Sequence, residues 1–240
     1  MKNKHLLLAI TLFTSIFLSS CSKDDDGNEP QQTKLLDKVI LTFSDSNEII
    51  THSFEYNQDF SIQKMSKTSS VEGDVYTVFY EYSSNSVKLS LLLTNGQATT
   101  LELKYEDGIF TEFILNDSNG EQNLELDYNP QTDVYTFSGF PLKFDDANNV
   151  LSFLYEYEYN TIHKGSLFNV PNKGIHVLNI LLYDYNSQFM TSKPLNTFTD
   201  GSVIVNFANE FDDDDFLIKA IQTNSVNSSS VIFNYSYILK

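Results

Sequence analysis

Residues 75–110 read VYTVFYEYSSNSVKLSLLLTNGQATTLELKYEDGIF, a series of apolar runs cut by short polar clusters. Within the runs the period is two. Tyr76, Val78, Tyr80 and Tyr82 fall on one face, and Val75, Thr77, Phe79 and Glu81 on the other. Val87, Leu89, Leu91 and Leu93 are in register, as are Leu101, Leu103 and Tyr105. Side chains alternate in this way only on an extended backbone, and Val, Tyr, Phe, Leu and Thr suit a pleated, half-buried surface. The clusters between the runs are rich in Asn, Asp, Gly and Ser, which bond their own backbone and, for Gly and Asn, tolerate positive φ. Strand, short turn, strand is a hairpin, so neighbours pair antiparallel.

The same rhythm extends outward. "VILTFS" sets Val39, Leu41 and Phe43 on one side, and turn clusters recur at 44, 116 and 145. It resumes at "SVIVNFANEFDDDDFLIKAIQ" and ends with "SVIFNYSYIL". Six stretches share a local pattern: "FEYNQDFSI", "YEYSSNSVKL", "LKYEDGIF", "LDYNPQTDV", "LKFDDANNVL" and "NEFDDDDFLI". In each, an aromatic ends a strand, acidic, amide or hydroxyl residues turn the chain, and an apolar residue starts the next strand. The pattern predicts an all-β body, an antiparallel meander of roughly a dozen strands forming a curved sheet or barrel-like shape. Residues 163–202 break the rhythm. Ile175, Leu178, Ile180, Leu181 and Leu182 are too dense for alternation and predict one short helix near 173–184 with Asn172 as its cap; a buried strand is the competing reading. Residues 34–240 are expected to form a single domain. A membrane-spanning barrel is the architectural rival, but "HSFEYNQDFSIQKMSK" is too polar, and "TSSVEGDVYT" too polar or too short, for an outward apolar band.

The start of the chain reads as an address. Lys2 and Lys4 precede a mostly apolar run, Leu6 to Leu18, followed by Ser19, Ser20 and Cys21, the single cysteine. Residues 1–20 are expected to be a signal peptide, and residues 22–33, "SKDDDGNEPQQT", have no large apolar residue and read as a flexible acidic tether. Leu18-Ser19-Ser20-Cys21 resembles the lipobox of bacterial lipoproteins. The resemblance implies cleavage before Cys21 and its lipidation by diacylglycerol and a further acyl chain such as palmitate. The acidic run after Cys21 resembles the surface-export signal of Bacteroidota lipoproteins, which implies outer-membrane, cell-surface localisation. The aromatic-acidic turns resemble the YD-type hairpin repeats of uncharacterised Bacteroidota surface lipoproteins, some with a porin-like fold, although the glycine after the acidic residue is often missing here. That resemblance implies no reaction and no catalytic residues.

Composition excludes several classes. The chain has net charge -17, which becomes -19 if Lys2 and Lys4 leave with a signal peptide. Such a chain repels nucleic acid and anionic lipid headgroups. Every basic residue is lysine, so the planar fork of arginine is not available for phosphate or carboxylate recognition. A single cysteine allows no internal disulfide, and an acylated Cys21 is no nucleophile. No HExxH, paired CxxC or GxSxG motif occurs. His52, His163 and His176 are too scattered for a single-helix metal site, and a Ser-His-Asp site would need the fold to assemble it.

Two clusters invite a functional reading. "FDDDDF" (Phe211–Phe216) offers four carboxylates, but consecutive residues on a tight turn diverge, so a solvated hairpin tip is expected rather than a calcium site. "FLYEYEY" sets Phe153, Tyr155, Tyr157 and Tyr159 on one face; it reads either as core or as a stacking surface for sugar or peptide. The sequence therefore favours a non-enzymatic surface module that binds a glycan, a peptide or an envelope protein, with no cofactor, metal or catalytic residue assigned. The alternatives are a glycan hydrolase using paired carboxylates and a purely structural envelope component.

Overall fold

A computed structural model describes residues 32–171, 174–181, 186–226 and 229–240. Alternation becomes strand along the first half of the body: β1 (Lys34–Phe43), β2 (Ile49–Tyr56), β3 (Ile62–Ser69), β4 (Gly73–Tyr82), β5 (Ser86–Leu93), β6 (Ala98–Glu106) and β7 (Ile109–Asp117). Shorter strands follow: β8 (Gly120–Leu124), β9 (Leu126–Asn129), β10 (Val134–Phe137), β11 (Phe140–Phe144), β12 (Val150–Phe153) and β13 (Tyr155–Tyr159). After an irregular segment come β14 (Leu195–Asp200), β15 (Val203–Phe211), β16 (Leu217–Asn224) and β17 (Ser230–Leu239). The described residues thus hold seventeen strands in one sheet, more than the dozen expected, because polar stretches such as Gly120–Leu124 also pair.

Every pairing between these strands is antiparallel, and the last returns to the first: β17 pairs with β1 from Lys34↔Leu239 to Phe43↔Val231. The sheet is a nearly closed barrel. An antiparallel ring needs an even number of passes, yet the strands number seventeen. The resolution lies at Glu125, where β8 runs on into β9. β8 pairs back to β7 and β9 pairs forward to β10, so the two form one bent pass and the ring holds sixteen.

The meander places all six aromatic-acidic turns at the same end of the barrel, because each follows a strand running in the same direction. Near the strand ends, several tyrosine hydroxyls reach a carbonyl near the start of the neighbouring or preceding strand. Tyr56 donates to Leu36 O at 2.8 Å, Tyr105 to Ser83 O at 3.1 Å, Tyr159 to Val150 O at 2.7 Å and Tyr237 to Leu217 O at 2.6 Å. Each bond fastens one strand end to its neighbour at the rim.

The core lies inside the barrel. On β4, Val78 and Tyr80 are buried while Phe79 and Glu81 are exposed. The outer wall carries cross-strand ion pairs, Glu55–Lys64, Lys104–Glu112 and Glu210–Lys219, each at 2.7 Å. A membrane-spanning barrel would present an apolar band there.

The lumen is filled by the chain itself. α1 (Ile175–Ile180) is buried at every residue, and α2 (Asn186–Phe189) follows it. α1 lies within the expected 173–184 span but is shorter, and the competing strand is overturned. Asn172 lies outside the described residues; the helix starts after Gly174, at φ 71, with no side-chain cap. A β-carbon on Gly174 would stand 2.5 Å from Leu103 Cδ2, so the close approach of helix to wall requires glycine. Several polar atoms entering this apolar space are paired. Tyr80 donates to Asn179 Oδ1 at 3.0 Å, Asn179 Nδ2 to Ile175 O at 2.8 Å, and Val150 N to His176 Nδ1 at 2.9 Å. Phe189 packs on His52 with centroids 4.8 Å apart, and on Phe54 and Phe233.

Candidate functional site

The bend at Glu125 opens the wall. Along the lower half of β7 no ladder joins it to β9 among the described residues. The Phe110 N–H donates instead to the Tyr135 hydroxyl at 3.2 Å, and the Phe110 ring packs on Tyr135 and Phe144 at 5.5 and 5.2 Å. Outside this aromatic floor lies an open hollow of about 660 Å³. Three turns bound it: the β4–β5 turn with Ser84 and Asn85, the β6–β7 hairpin with Lys104 to Gly108, and the β11–β12 turn with Asn148.

The lining mixes a half-buried aromatic face, Tyr105, with side-chain amides at Asn85 and Asn148, hydroxyls at Ser84 and Thr111, and the carboxylates of Glu106 and Asp107. Its one cation, Lys104, donates to Glu112 at 2.7 Å, and that hydrogen bond raises the ammonium pKa. The hollow therefore offers donors and acceptors beside a ring, with negative rather than positive spare charge. An uncharged polyhydroxyl ligand meets these conditions, since it presents C–H faces to the ring and hydroxyls to the amides.

The residues singled out from sequence sit elsewhere. The run Phe153 to Tyr159 is not one strand, because Leu154 at φ 47 turns the chain between β12 and β13. Phe153, Tyr157 and Tyr159 are buried and only Tyr155 reaches the surface, so the stacking row gives way to core. His52 and His176 are core residues in different neighbourhoods of the lumen. His163 stacks on Phe211 at 4.0 Å and lies 3.2 Å from Asp215 Oδ1.

At the β15–β16 tip Asp212 and Asp214 share Lys34, while Asp215 lies beside His163. Asp212 takes Lys34 at 2.5 Å and accepts the Asp214 and Phe216 amides at 3.0 Å each; Asp214 lies 3.2 Å from Lys34. Burial pushes the Asp212 carboxyl up, but Lys34 and these amides outweigh it and hold the pKa below the usual range. The Lys34 ammonium takes the space between Asp212 and Asp214, and Asp215 is turned to His163, so the tip is a fastened turn. Cys21 and the acidic tether lie outside the described residues.

The hollow escaped the sequence reading. Its one legible signal is "KYEDG", which marks a turn and says nothing of the wall opening beside it.

No family model matches the chain, and no curated protein matches it. Among solved structures, a porin-like protein from Bacteroides uniformis is similar at 12% identity and a TM-score of 0.45, over 85% of this chain and 98% of that one. MucB, solved in complex with MucA(peri), is similar at 9% identity and a TM-score of 0.13, over 88% of each chain. Neither likeness carries an argument about this chain.

Proposed function

We propose that this chain is a lipid-anchored protein of the outer membrane surface, tethered through acylated Cys21, and that its filled barrel is a non-enzymatic module holding an uncharged glycan in the hollow beside Tyr105. The observation that carries the binding reading is the concave polar hollow beside the Tyr105 ring, bounded by three turns at one end of the barrel. The filled lumen supports it, because contacts are then made on the wall rather than along a channel. The address rests on the Leu18–Cys21 stretch and the acidic residues after it.

The test is an array of neutral and acidic oligosaccharides probed with the full chain. Retention on neutral glycans is expected, kept by Tyr105→Phe, which preserves the ring, and lost by Tyr105→Ala. Binding indifferent to Tyr105→Ala, or cleavage of the arrayed sugars, would overturn the reading. The address is checked separately: Cys21→Ser should move the protein out of the membrane fraction and remove the mass of the acyl chains.

A further inference from the structure

The same bend leaves a second, independent feature at the opposite end of the barrel. β8 pairs with β7 through all five of its residues, Gly120↔Asp117 to Leu124↔Phe113. Its other edge has no strand partner among the described residues, because the β10–β11 hairpin stops at Glu125, where Ser138 N donates to Glu125 O at 2.9 Å. Gly120, Glu121, Gln122 and Asn123 are all exposed. An antiparallel strand aims alternate N–H and C=O groups away from its partner, so this edge is a template for one more strand. Natural edges are blunted by proline, charge, bulges or shortness; "GEQNL" has no proline or lysine, and its one charge, Glu121, leaves the edge selective for a basic partner.

We infer that the free edge of β8 is a docking site for an extended, basic segment of a partner protein, which adds as a further strand of the wall. Two observations specify the occupant. On the outer face of the bent pass stand Glu121, Asn123 and Glu125, the two carboxylates four residues apart, so lysine or arginine at the same spacing on the incoming strand would lie opposite them. At the foot of the edge, Phe140 on the β10–β11 hairpin is 51% exposed and would meet the intervening apolar residues. A second copy of this chain fits poorly. It would bring Glu121 and Glu125 against acidic equivalents on a chain of net charge -17. Main-chain bonds would supply register and alternate side chains the selectivity, as in other strand additions.

The probe is a synthetic peptide of about seven residues alternating lysine and valine, titrated against the full chain by fluorescence anisotropy, with amide exchange read in parallel. Saturable binding and slowed exchange at residues 120–124 are expected. Methylating alternate backbone nitrogens of the peptide, or reversing charge with Glu121→Lys and Glu125→Lys, should weaken binding by roughly tenfold or more. A glutamate–valine peptide should bind the reversed variant better than the original. Both substitutions are at the surface, and circular dichroism checks that the fold is kept. Equal binding of the N-methylated peptide, affinity unmoved by charge reversal, or protection of residues 120–124 arising only from self-association would each overturn the inference. Loss of glycan retention leaves it untouched, since the hollow lies at the other end of the wall.

Discussion

Asp145 shows how single residues hold the rim. Its carboxylate accepts the Ala147 and Asn149 amides at 2.9 Å each, Asn149 Nδ2 at 3.0 Å and Lys193 Nζ at 2.9 Å. Asn149 in turn accepts the Ser192 amide, so the β11–β12 turn is tied to the segment leaving the lumen. Burial alone would push the Asp145 pKa up, but the bonds from Asn149 and Lys193 outweigh it and hold the carboxyl below the usual range. A depressed folded pKa stabilises the fold fully above the unfolded value of about 4, and that contribution is lost as pH falls through the folded value. Asp145→Asn removes the titration. Its unfolding midpoint in urea should be lower than wild type at neutral pH, and the gap should narrow on acidification below about pH 4. A gap that stays constant with pH would mean the carboxylate's charge does not matter.

Among the elements, α1 carries the most information about how the chain folds. Leu178 is fully buried on it, with Asn179 bonded to Tyr80 on β4 and His176 accepting from β12. Leu178→Ala removes apolar volume from a space enclosed by wall on all sides and should cost about 3 kcal/mol in equilibrium unfolding. A cost below about 1 kcal/mol would indicate that the helix lies at a surface. The strands around it were legible because alternation is a local property: Val78 and Tyr80 turn in and Phe79 and Glu81 turn out, as their spacing says. The helix was legible as a break in that rhythm, but not its confinement, which depends on walls far away in sequence. The tyrosine row misled for the opposite reason. "FLYEYEY" alternates perfectly, and nothing local announces that Leu154 adopts positive φ and turns the chain. The hollow was not legible beyond the turn signal "KYEDG", since the three turns that bound it are far apart in sequence.

At the scale of the whole molecule, the sheet returns on itself around its own chain. Sixteen passes close through β1 and β17, the aromatic turns gather at one end, and Leu167, Val170, the residues of α1, Phe189 and Met190 are buried. The bend at Glu125 interrupts pairing between β7 and β9 and leaves the free edge of β8. Everything functional in this account follows from a lumen that is filled and a wall that is used. Amide hydrogen exchange on the full chain tests that claim most directly, read at Leu178 and Leu181, whose N–H groups donate to Gly174 O at 3.1 Å and Val177 O at 3.2 Å. If the segment is enclosed, both amides exchange only through global unfolding, at the rate of the central amides of β4 and β5 and with the same denaturant dependence. Exchange as fast as that of the exposed turn at Asn119 would contradict the account and leave the barrel open.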